Sequence, residues 1–118
     1  QKLPLDLFVN RIHNENPLTK ENLLKMYDQI EPITEKILPG QKINTVAYGC
    51  TSGAIAIGED KVKKKVQLAK PDCYVTTPIT AALRAFKKLN IGPKKRLIVA
   101  KKLTNFLYLN GLQFRLKG

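Results

Sequence analysis

Cys50 stands in the run Tyr48-Gly49-Cys50-Thr51-Ser52-Gly53, where a thiol, two hydroxyls and two flanking glycines fall within six consecutive residues. A thiol on a backbone turn can serve as a nucleophile or a proton-transfer base when nearby donors favour its ionised form. Glycines on either side let the backbone turn tightly and expose its N–H groups. Together with the hydroxyls of Thr51 and Ser52 these would make a cradle for a carboxylate. The same sulfur equally suits a small hydrophobe buried after a strand. Thr76-Thr77-Pro78 offers two more hydroxyls, and Asn14-Glu15-Asn16-Pro17 offers two amides that could either touch a ligand or shape their own loop. His13 is the single histidine, and no acidic residue is placed by sequence to orient it, so an exposed loop role is expected.

The elements that would hold these residues alternate. Leu5, Leu7 and Val9 alternate with Asp6 and Phe8, a strand pattern, and Thr19 then opens a helix whose apolar positions Leu23, Tyr27, Ile30, Thr34 and Ile37 recur every three or four residues. Pro32 interrupts that pattern and predicts a kink or two successive helices, with Pro39-Gly40 as the stop. Residues 43–48 read as a short buried parallel strand that ends just before Cys50. Glu59 and Asp60 open a helix with Val62, Val66 and Ala69 inward and Pro71 at its end. Residues 74–76 form a brief strand, Thr77 caps the next helix and Pro78 occupies its first turn. Ala82, Leu83, Phe86 and Leu89 face inward there, and Gly92 ends it. Residues 97–100 read as a fourth strand, Leu103, Phe106 and Leu107 as a short helix, and Leu112, Phe114 and Leu116 as a fifth strand.

Such alternation predicts a Rossmann-like three-layer α/β/α fold with a mostly parallel sheet, in one domain covering residues 1–118. Ligands of open parallel sheets bind beyond the carboxyl ends of the strands, and the Asn, Cys and Thr runs all converge on that edge.

Bulk properties narrow the classes. The 118 residues are 43% hydrophobic and 25% charged, ordinary globular usage that argues against disorder. No apolar run approaches the roughly 18 residues that span a bilayer, and no basic-then-apolar leader opens the chain, so a cytoplasmic protein without a membrane partner is expected. Cys50 and Cys73 are then expected as reduced thiols, with Cys73 in the core. The net charge of +12 is mostly lysine, in Lys63-Lys64-Lys65, Lys87-Lys88, Lys94-Lys95 and Lys101-Lys102. Arginine forks and interleaved aromatics are scarce, so specific nucleic-acid recognition is not expected. A solvated lysine surface that steers anions fits better.

From Asp6 to Ile91 the chain resembles the aspartate/glutamate racemase superfamily, in its maleate cis-trans isomerase and ectoine-utilisation branch. Four linked stretches carry the resemblance: residues 8–11 leading to 14–19, residues 37–40, residues 46–53 and residues 75–82. They occur in that family's order and spacing. The resemblance implies two facing α/β domains, a cysteine from each, no cofactor, a small carboxylate or dicarboxylate substrate and a homo-oligomer at full length. It implies Cys50 as the first-domain catalytic thiol, with Thr51, Ser52, Thr76 and Thr77 holding a carboxylate or orienting the sulfur and Asn14 and Asn16 as further substrate contacts. The thiol chemistry would be isomerisation, with racemisation and decarboxylation as relatives of it; a non-catalytic anion-binding domain is the alternative from another class.

Departures accompany the matches. The family's first strand, with a Ser-Asn motif, would precede Gln1, and residues 93–118 depart from the pattern, with Ala100-Lys101-Lys102 where a Thr-Pro-Tyr turn is usual. The second domain and its cysteine lie outside these residues, so little turnover is expected of this chain alone.

Overall fold

The computed structural model describes residues 4–90. Helix α1 spans Lys20–Glu35 and begins where Thr19, in extended backbone, accepts a hydrogen bond at Oγ1 from the Asn22 N–H at 3.2 Å. Its buried stripe is Leu23, Met26, Ile30 and Thr34, so Met26 takes the central place that periodicity assigned to Tyr27, which is half-buried. Pro32 does not split the helix. The carbonyl deprived of its donor, that of Asp28, belongs to an exposed residue where water can replace the missing bond.

The chain reverses after α1 through Leu38 at φ 45° and Gly40 at φ 74°. Lys70, only 6% exposed, fastens this reversal by donating from Nζ to the carbonyls of Leu38 at 2.8 Å and Gln41 at 3.0 Å. Two bonded carbonyls offset the cost of taking an ammonium out of water.

Strand β1, Thr45–Ala47, pairs in parallel with β2, Tyr74–Thr76, in the register Val46 opposite Val75. The Tyr48 N–H reaches the Thr76 carbonyl at 2.9 Å and the Tyr74 N–H reaches the Asn44 carbonyl at 2.8 Å. The expected buried strand is corrected here: Thr45 and Ala47 share one face and are exposed, while Val46 on the other face packs against the core. The expected strand over Leu5–Val9 is also absent. Those residues pair with nothing described, and Leu7 and Val9 remain 80% and 77% exposed.

A second departure lies at the glycine-bounded run. In place of an open turn, Thr51–Ile57 forms helix α2, and after Gly58 at φ 97° helix α3 spans Glu59–Ala69. Val62 and Val66 are buried as their spacing required. Helix α4, Pro78–Lys88, follows β2 after the Thr77 cap; Ala82, Leu83 and Phe86 are half-buried, and Leu89 beyond its end is 66% exposed.

Helix α1 packs against α2 and α3, and the core joins Leu23, Met26, Ile30, Ala54, Val62 and Val66 to Tyr48, Cys73 and Val75 from the sheet side. The described residues thus make an α/β domain of four helices and a two-stranded parallel sheet. The strand expected at 97–100, the helix after it and the strand at 112–116 lie outside them.

Candidate functional site

Parallel pairing sets the carboxyl ends of β1 and β2 side by side, with Ala47 opposite Thr76. Tyr48 and Gly49 carry β1 to Cys50, which is half-buried and is the N-cap of α2. Its Sγ accepts from the Gly53 N–H at 3.3 Å, and its own carbonyl accepts from the Ala54 N–H at 2.9 Å. A cysteine here takes the place of a usual serine or aspartate cap, its sulfur meeting the Gly53 N–H.

Gly53 is needed for space, not for backbone freedom. A Cβ at this position would collide with the Tyr48 hydroxyl and come within 3.2 Å of the Cys50 Sγ. Tyr48 is 6% exposed, and its hydroxyl donates to the Met26 thioether at 3.9 Å, a weak acceptor. Burial, reinforced by the neighbouring Cys50, pushes the Tyr48 phenol up to about 12, so it stays a neutral donor at ordinary pH.

Cys50 lines a cavity of about 310 Å³. Its lining comes from Asn10-Arg11-Ile12, from Val46 to Cys50, and from Met26, Ile30 and Ile33 of α1. That volume lies at the lower end for small-molecule sites. Arg11 is the cavity's cationic residue and makes no ion pair among the described residues.

The other anticipated residues divide. Thr51 and Ser52 form the first two positions of α2 beside Cys50 and are half-buried, and neither they nor Thr76 line the Cys50 cavity. Thr76 is half-buried at the end of β2, and its backbone carbonyl holds Tyr48. Thr77 is buried, and its hydroxyl is occupied: Oγ1 accepts from the Thr80 N–H at 3.1 Å and is hydrogen-bonded to the Glu59 carboxylate. Glu59 also accepts from the Thr80 hydroxyl, so the starts of α3 and α4 are tied together beside a separate cavity of about 280 Å³. Asn14 and Asn16 are exposed ahead of α1, and neither lines the Cys50 cavity.

His13 is exposed and exchanges backbone hydrogen bonds with the Gln29 amide, a loop contact. Cys73 is 3% exposed, and burial, with the Asp72 charge adding to it, pushes its thiol up. Tyr48, Arg11 and the Glu59 linkage were not picked out from the sequence. Tyr48 had one usable signal, its place two residues before the thiol at a strand's end.

No protein-family model, curated protein or solved structure matches the chain.

Proposed function

We propose that this domain supplies the thiol side of a cofactor-independent, cysteine-dependent isomerase that acts on a small carboxylate or dicarboxylate such as maleate, within a Rossmann-like racemase-type fold. The observation that carries the reading is the position of Cys50: past the carboxyl end of a parallel strand, capping a helix, on the wall of a cavity. The motif resemblance adds the substrate class.

In the isomerisation, the Cys50 thiolate adds to one carbon of the double bond, and the electron pair moves onto the adjacent carbon and its carboxylate. The former double bond rotates, and the pair returns as the sulfur leaves, so no atom is gained or lost. In this reading Thr51, Ser52 and their backbone N–H groups hold the carboxylate that gains charge. Thr77 acts one step behind them, through the architecture it shares with Glu59. Enclosure matters, because in water those hydrogen bonds compete with solvent. A second wall beyond these residues is part of the proposal, and the chain alone is expected to bind dicarboxylates weakly with negligible turnover.

Two measurements test this. Maleate should slow iodoacetamide labelling of Cys50 without changing that of Cys73, and the absence of protection by maleate, aspartate or an arylmalonate would remove the substrate class. Proton NMR of the same acids, with the chain extended by its neighbouring sequence, should show turnover that Cys50→Ser abolishes, since a serine hydroxyl is scarcely ionised at neutral pH. Full activity in that variant would remove Cys50 from the mechanism.

A further inference from the structure

The Tyr48 hydroxyl and the Cys50 Sγ flank the same point, the place a Cβ on Gly53 would occupy, where an added methyl would touch both. Tyr48 is buried, and its hydroxyl is turned toward the Met26 sulfur at 3.9 Å. A thioether is among the weakest acceptors in a protein, whereas a thiolate is a strong one. Cys50 already receives one donor, the Gly53 N–H at 3.3 Å. The Tyr48 hydroxyl makes no hydrogen bond to Sγ in this state, but it lies across the Gly53 gap from it and is held by a partner that costs little to leave.

We infer that Tyr48 is a positioning residue for the Cys50 thiol, its hydroxyl turning from Met26 to Sγ when the sulfur ionises and thereby stabilising the thiolate. The phenol remains protonated throughout, so it donates a hydrogen bond and transfers no proton. Gly53 is the residue that leaves room for this exchange, since any side chain there would part the two groups. The inference deepens the proposed thiolate chemistry and rests on it for its functional meaning, but it concerns the free thiol and needs no substrate.

The test is the pH dependence of Cys50 alkylation by iodoacetamide, followed by peptide mass mapping, in the wild-type chain, Tyr48→Phe and Met26→Leu. Removing the hydroxyl should move the midpoint of the rate profile up by about one pH unit, equivalent to about tenfold slower labelling near neutrality, with the high-pH plateau kept. A purely structural role would change accessibility and move the plateau, not the midpoint. Met26→Leu removes the competing acceptor of the un-ionised state, so its midpoint should fall by a few tenths of a unit. An unchanged or lowered midpoint in Tyr48→Phe overturns the inference. If that variant does not fold, an unchanged or raised midpoint in Met26→Leu does so instead. Because no substrate is present, either failure leaves the enzyme proposal standing, and a failure of turnover leaves this one.

Discussion

At the scale of single residues, the two cysteines occupy opposite environments. Cys50 is half-buried with a donor at its sulfur, while Cys73 is in the core with its thiol pushed up by burial. Timed iodoacetamide labelling at neutral pH should therefore modify Cys50 well before Cys73, and equal rates would end the case for an activated thiol. Tyr48 gives a second expectation. Its phenol shifts from 10 to about 12 on folding, so between those values the unfolded chain has released a proton that the folded chain retains. Stability contributed by the protonated phenol is present below pH 10 and lost as pH rises through about 12, by roughly 3 kcal/mol in all. Urea titrations at pH 9 and pH 11.5 should show this fall, and Tyr48→Phe should reduce it.

At the scale of elements, helix ends do most of the placing. Thr19, Cys50 and Thr77 each cap a helix through a side chain, and each is itself in extended backbone. Gly53 gives a test in which two effects oppose each other. Glycine to alanine inside a helix ordinarily stabilises by about 1 kcal/mol, but here the new methyl meets the Tyr48 hydroxyl and the Cys50 sulfur. Overpacking costs about 1–3 kcal/mol, so Gly53→Ala should lower the denaturation midpoint and change the rate of Cys50 labelling. Lys70 is the other elemental joint. Lys70→Met leaves the Leu38 and Gln41 carbonyls without their donor and should destabilise by about 2 kcal/mol in chemical denaturation, whereas the exposed Lys63→Met should be nearly neutral.

For the whole molecule, the net charge of +12 is the dominant field. It favours encounter with small anions, and lysines without base-reading forks neutralise phosphates without selecting a sequence. Fluorescence anisotropy with duplex DNA should therefore show weak binding at low salt that disappears near physiological ionic strength, and a sequence-preferring complex at that salt would contradict this ranking. No described helix is long and apolar enough to cross a membrane. The exposed Leu5, Leu7, Phe8 and Val9 show a strand-like alternation that no described neighbour covers.

What the sequence determined by itself is the set of local signals: the Thr19 and Thr77 caps, Pro78 in a first turn, Pro71 after a helix, β2 at residues 74–76, the Val62 and Val66 stripe, and Cys50 just past β1. Each depends on neighbours within a few positions, which is why spacing and residue type were sufficient. Helix α2 escaped that reading because its seven residues, with a glycine at the third, carry too short a period to distinguish a helix from a turn. Leu5–Val9 has a strand's alternation, yet a strand exists only where a partner accepts its hydrogen bonds, and that is a tertiary condition. The divided site follows the same rule. Thr77 faces Glu59 rather than the Cys50 cavity, and Tyr48 shares the space above Gly53 with the thiol, because side chains distant or uninformative in sequence are assigned neighbours only when helices pack across the sheet.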